Sequence, residues 1–173
     1  MAPQERSEIV NHLERSREEF LAAVAGLTDD QAKAKPDAER WSVLECVEHV
    51  AFVEERFLGW LDQAQKLDAR RMDREKELRL MAMVPDRSVR VKAPAAVVPS
   101  GRYEALADAI ERFKTMRARS IQFAEKPGDL YCLASEHPRF GPVNGVELLI
   151  IIAGHSRRHG EQIREIRTEL ERK

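Results

Sequence analysis

The chain has 173 residues, enough for one domain with a real core, and its charges nearly cancel, with 29 Lys and Arg against 30 Asp and Glu. That balance gives no electrostatic footprint for nucleic acid, an acidic substrate or an anionic membrane surface. No apolar run approaches the roughly 20 residues that span a bilayer, Met1 to Arg17 is too polar for a secretory leader, and two cysteines, Cys46 and Cys132, make no disulfide framework, so a reducing cytoplasm is the expected setting.

A first helix is expected from about Gln4 to Ala25, with Ile9, Leu13, Phe20, Leu21 and Val24 on one face and Gly26 as its stop. Thr28 with Gln31 predicts a capped short turn of helix that ends at Pro36. Ser42 with Glu45 predicts a second capping box and a second long helix running at least to Ala64. Its apolar arc is broad, with Val43, Val47, Val50, Phe57 and Leu61 on one side and Cys46, Val53 and Trp60 on the other. His49 lies on that second flank. Residues 62–83 are charged and helix-compatible, either as an extension or as a separate exposed helix. Val84 to Pro99, rich in proline and valine, reads as an extended connector that could pair as a short hairpin. A third long helix is expected over about Arg102 to Glu125, with Leu106, Ile110, Phe113, Arg117 and Ile121 on its face, and Asp129 to Val143 reads as a loop. Asn144 with Glu147 predicts the cap of a last helix that continues to Leu170. Four amphipathic helices in a chain of this size predict an all-α four-helix bundle, with residues 1–173 as a single domain.

The last helix carries the informative pair. Its apolar stripe steps through Leu148, Ile152, His155, His159, Ile163, Ile166 and Leu170 in intervals of 3 or 4, so two imidazoles occupy positions where core residues belong. Imidazoles on a buried face are costly without partners. A spacing of i, i+4 lets both converge on one ion. A bare pair is a modest signal, but His49 on a facing helix adds a third nitrogen and leaves further coordination positions open. The bland alternative is that His49 is a helix-edge residue bonded to a carboxylate such as Glu45. Rival chemistry is missing: Ser156 follows His155, so the His-Glu-x-x-His pattern is absent, and there is no nucleophile elbow or phosphate loop. Cys46, one turn before His49, reads as a small buried residue, and Cys132 has no assigned role. His12 is expected to be solvated, Arg157, Arg158 and Glu161 to form a solvated face, and His137 to be a turn residue that could reach the mouth of the site.

The segment Trp41 to Val50 (WSVLECVEHV), together with His137 to Pro142 (HPRFGP) leading into Gly154 to His159 (GHSRRH), resembles the DinB-like (damage-inducible) family of metalloenzymes. The resemblance covers nearly the full length. It implies a four-helix bundle with a long connection between helices 2 and 3, so that simple up-down-up-down order is not assumed. It also implies metal ligation by His49, His155 and His159. The family's activities are mixed, and homodimers are expected from the resemblance.

The expected function is metal-dependent, hydrolase-type chemistry on a small molecule, with a divalent ion, Zn or Ni, on the three histidines. Such an ion acidifies water toward a pKa of about 7. One alternative is a low-molecular-weight thiol S-transferase that uses a thiol cosubstrate. Another is a non-catalytic metal-binding or stress-response bundle in which the ion adds folding energy. Glu45 and Glu48, the carboxylates nearest the ligands in sequence, are the candidates for a general base. No nucleic acid or membrane partner is expected.

Overall fold

The computed structural model describes residues 1–172. In chain order the elements are α1 (Pro3–Val24), α2 (Asp29–Lys33), α3 (Val43–Asp62), β1 (Gln65–Lys66), α4 (Arg74–Met83), α5 (Leu106–Glu125), β2 (Leu133–His137), β3 (Gly141–Asn144) and α6 (Gly145–Glu171). The fold is the expected four-helix bundle, built from α1, α3, α5 and α6. All three expected capping boxes form. The Thr28, Ser42 and Asn144 side chains accept the N–H of Gln31, Glu45 and Glu147, and those three side chains accept the cap N–H in return. Among the described residues no helix is long and apolar enough to cross a membrane.

Side-chain bonds between helices fix their directions. Arg102, just ahead of α5, meets Glu48 near the start of α3, while Arg119 reaches Asp62 at the end of α3, so α3 and α5 run parallel. Arg6 near the start of α1 bonds Gly128 O beyond the end of α5, which makes α1 antiparallel to α5. Arg157 pairs with Glu19 and Arg167 with Ala23 O, so α6 runs parallel to α1. The order is up-down-down-up. The stretch from Gln63 to Ala105 returns the chain along the bundle between two parallel helices, as a long connection must.

Several local expectations are corrected. The second long helix stops at Asp62, short of Ala64, because residues 65 and 66 pair as β1 with Leu133 and Ala134. Residues 74–83 are a separate helix whose inner face, Glu77 and Leu80, is buried. The Val84–Pro99 connector forms no hairpin, only a 3-10 turn at Ala95–Val97. The third long helix begins at Leu106 rather than Arg102: Ser100 and Arg102 give their N–H groups to Glu48, and Asp29 of α2 accepts the Leu106 N–H at 2.8 Å. The segment read as a loop over 129–143 holds β2 and β3, which complete an antiparallel three-stranded sheet in the order β1-β2-β3, with Ser135 opposite Val143.

Packing divides the interior into two apolar clusters. One holds Leu13, Val53, Met116, Leu148 and Ile152 toward the sheet, and the other holds Phe20, Val47, Phe113, Ile163 and Ile166 toward the opposite end. Between them lies a polar layer centred on Arg117, which is fully buried. Its guanidinium forks onto Glu54 at 2.8 and 3.0 Å, and donates to Leu13 O at 2.8 Å, Ser16 Oγ at 2.5 Å and Ser156 Oγ at 3.0 Å. Ser120 donates to the same carboxylate at 2.7 Å. One side chain thus ties α5 to α1, α3 and α6, and the surrounding hydrogen bonds offset the desolvation of the ion pair.

Candidate metal centre

The three histidines meet beside that polar layer. α3 supplies His49 and the facing α6 supplies His155 and His159, each bringing one ring nitrogen to within 4.8 Å of the others. His49 Nε2 and His155 Nε2 are 3.1 Å apart. His49 and His159 are buried, and His155 keeps an edge in contact with solvent, so the cluster opens on the His155 side. The His49 Nδ1 donates to Val97 O at 2.7 Å. A carbonyl can only accept, so this bond holds the proton on Nδ1 and leaves a bare lone pair on the Nε2 that faces the other rings. His159 Nδ1 is buried with no hydrogen-bond partner. Trp41, at the entry to α3, stacks on His159 with an interplanar angle of 19° and lies 4.8 Å from the His49 ring.

Burial dominates the electrostatics. It holds the His155 and His159 pKa values well below 6.5, with added repulsion from the neighbouring imidazoles and from Arg158. It also lowers His49, against the Val97 bond, which pulls the other way. All three rings are therefore held neutral, the form that coordinates a metal. The donor set fits a divalent ion of borderline softness, and the Nε2 to Nε2 separation is near the roughly 3.3 Å that tetrahedral bonds of about 2.0–2.1 Å require.

The other candidate residues are engaged elsewhere. Glu45 closes the Ser42 capping box and pairs with Lys35 at 2.8 Å, so it does not bond His49. Both Glu48 oxygens accept backbone N–H groups, from Ser100 at 2.7 Å and Arg102 at 3.0 Å. Cys46 is fully buried, and burial pushes its thiol up, away from the thiolate. His137 ends β2 rather than sitting in a loop. Its Nδ1 accepts from Arg139 N and Phe140 N, and its ring packs among Phe57, Trp60 and Phe140. It is not one of the three clustered nitrogens. His12 is not simply solvated, since its Nε2 is buried without a partner. Arg157 and Arg158 are half-buried and bonded, to Glu19 and to the Asp86 and Val89 carbonyls. Three contributors escaped the sequence reading: the Val97 carbonyl, the Trp41 ring and the Arg117 layer. Only the last left a signal, an arginine standing in an apolar helix face.

The DinB superfamily profile matches residues 12–163, most of the chain and all three histidines. The chain belongs to the DinB superfamily. The uncharacterized protein YuaE of Bacillus subtilis (strain 168) is 24% identical over 162 residues, which cover 91% of this chain and 96% of that protein. Among solved structures, YfiT from Bacillus subtilis superposes with a TM-score of 0.64 at 16% identity, over 99% of this chain and 90% of that one. YfiT is described as a probable metal-dependent hydrolase with an unusual four-helix bundle topology. At that identity the likeness establishes the shared fold, and the parallel α3–α5 pair of this DinB protein is its departure from simple alternation.

Proposed function

We propose that this DinB protein is a metal-dependent hydrolase of a small molecule, with one divalent ion, zinc or nickel, held by His49, His155 and His159. The observation that carries the reading is the convergence of three neutral imidazole nitrogens within 4.8 Å, one of them with its tautomer already set by a backbone carbonyl. A divalent ion held there supplies Lewis acidity for hydrolysis. The chain's own residues supply the rest. Val97 O orients His49, the Arg117 layer carries Ser156 next to His155 and so fixes the α6 backbone at the ligand, and Trp41 closes one side of the cluster against water. The partly exposed edge of His155 is where a substrate reaches the centre. The description of YfiT as a probable metal-dependent hydrolase supports hydrolysis over the thiol-transfer alternative.

The test is elemental analysis and metal titration of the purified chain. Wild type should take up one divalent ion per chain, while His49→Ala, His155→Ala and His159→Ala should each bind far more weakly and His12→Ala should match wild type. Trp41 gives a second readout, since nickel bound beside a stacked indole should quench its fluorescence. Uptake by His155→Ala and His159→Ala as tight as by wild type would end the proposal.

A further inference from the structure

The connector between α4 and α5 is tied to both ligand-bearing helices. Its first part is held to α6: Arg158, one residue before His159, donates to Asp86 O and Val89 O, and Arg87 pairs with Glu165 at 2.6 Å. Its last part is held to α3. Val97 O accepts from His49 Nδ1, and a few residues on, Ser100 N and Arg102 N donate to the two oxygens of Glu48 at 2.7 and 3.0 Å, with Ser100 Oγ adding a bond at 3.3 Å. Glu48 is 2% exposed. A carboxylate buried to that degree is held by its donors, and among the described residues its hydrogen-bond donors, Ser100 and Arg102, come from the connector.

We propose that Glu48 is a positioning residue for the metal centre. By gripping the backbone at Ser100 and Arg102 it fixes the Val97 carbonyl, and that carbonyl holds His49 in the tautomer whose Nε2 lone pair can coordinate. The inference rests on the metal reading above, and gives Glu48 a role other than general base, for which neither oxygen is free. A neutral imidazole left to itself prefers its proton on Nε2. The carbonyl reverses that preference only while it stays within hydrogen-bond reach, so the grip on the connector controls which nitrogen is bare. Sequence adjacency makes the coupling short: Glu48 and His49 are neighbours on α3, and the segment they bind spans Val97 to Arg102.

The experiment uses the full chain, labelled with 15N. Long-range proton–nitrogen NMR of the metal-free protein reads the His49 tautomer, and Zn2+ titration against a competing chelator reads affinity. Wild type should show Nδ1 protonated and Nε2 bare. Glu48→Gln keeps the shape but turns an amide NH2 toward one of the two backbone donors. It should yield a mixture of His49 tautomers and weaken Zn2+ binding by roughly 10–100-fold. Ser100→Pro deletes both Ser100 donors, the backbone N–H and the hydroxyl, from the connector side without touching α3. It should act in the same direction, and the double variant should show less than the sum of the two. It also decides the matter should Glu48→Gln fail to fold. If wild type binds Zn2+ but the variants keep the wild-type tautomer and an affinity within about twofold, the positioning proposal falls and the metal reading stands. If wild type takes up no Zn2+, the metal reading falls and the proposal with it.

Discussion

Two polar clusters lie side by side in the middle of this bundle, and they are finished differently. Around Arg117, the guanidinium, the Glu54 carboxylate and the Ser16, Ser120 and Ser156 hydroxyls all have protein partners. Around His49, only one ring nitrogen has a partner outside the cluster. Two Nε2 atoms face each other at 3.1 Å, and His159 Nδ1 is left with nothing. Both clusters carry a desolvation cost; the first offsets it throughout, whereas the second offsets it only in part, through the Val97 bond and the bond between the two facing Nε2 atoms, and leaves His159 Nδ1 unpaired. A saturated buried network is complete as it folds. An incompletely saturated one gains stability when something outside the chain completes it, and the convergence of three imidazole nitrogens on one point is why the histidines and not the ion pair mark the candidate site.

The largest test of that contrast is at the saturated cluster. Arg117→Ala leaves the buried Glu54 carboxylate without its cation and with the Ser120 hydroxyl as its remaining partner, and should cost about 3–5 kcal/mol by urea unfolding, with or without metal. Arg117→Met combined with Glu54→Leu should recover most of it, because an apolar pair of similar volume needs no partners. A single variant as stable as wild type would mean the layer is not the keystone that its bonds suggest. The second test is at the unsaturated cluster and runs the other way. Added Zn2+ at about 100 times its Kd should raise wild-type stability by roughly 2.7 kcal/mol. His155→Ala should lose that metal-dependent increment while Arg117→Ala, if folded, keeps it. Equal Zn2+ stabilisation of wild type and His155→Ala would erase the distinction between the clusters.

How much of this was legible follows from the range over which each interaction acts. The capping boxes at Thr28, Ser42 and Asn144 were readable because donor and acceptor lie three residues apart. The ligand pair was readable because helical periodicity alone places His155 and His159 on one stripe. The hairpin was not. β2 and β3 are five and four residues long, interrupted by Gly141 and Pro142, and show little alternation, so their pairing depends on a sheet that also recruits β1 from far upstream. Arg117 was visible as an intruder in an apolar face, but its partner Glu54 is 63 positions away and nothing local announces it. The Val97 carbonyl has no sequence signature at all, since every residue carries one.

A third, smaller effect is expected where α4 meets the ligand helix. A Cβ on Gly154 would sit 2.9 Å from both Val84 Cβ and Cγ1, so this glycine lets the end of α4 press against α6 one residue before His155. Gly154→Ala should push that contact apart and cost about 1–3 kcal/mol, read as a lower midpoint of thermal or urea unfolding. The alanine's better helix propensity works against this but is worth only about 1 kcal/mol. A variant more stable than wild type would show that α4 yields freely, and that the ligand helix is not braced from this side.

The smallest effect is expected at His137, and it asks on which side of the contrast that residue falls. Its Nδ1 is saturated by two backbone N–H donors, so a proton arriving there must break both bonds, and burial beside Arg139 lowers its pKa from 6.5 to about 4. The sign follows from linkage. The folded state binds this proton less readily than the unfolded chain does, so its contribution is complete above pH 6.5 and is lost as pH falls toward about 4. At neutral pH, His137→Phe keeps the aromatic packing with Phe57, Trp60 and Phe140 but leaves two N–H groups to solvent, a loss of about 1 kcal/mol. As pH drops through the same window, wild type gives up its advantage while phenylalanine has nothing to titrate. The stability gap between the two should therefore narrow, as measured by urea unfolding at a series of pH values. A gap that stays constant from pH 7 to 4 would mean His137 is protonated as easily folded as unfolded, and that its Nδ1 bonds do not hold it neutral.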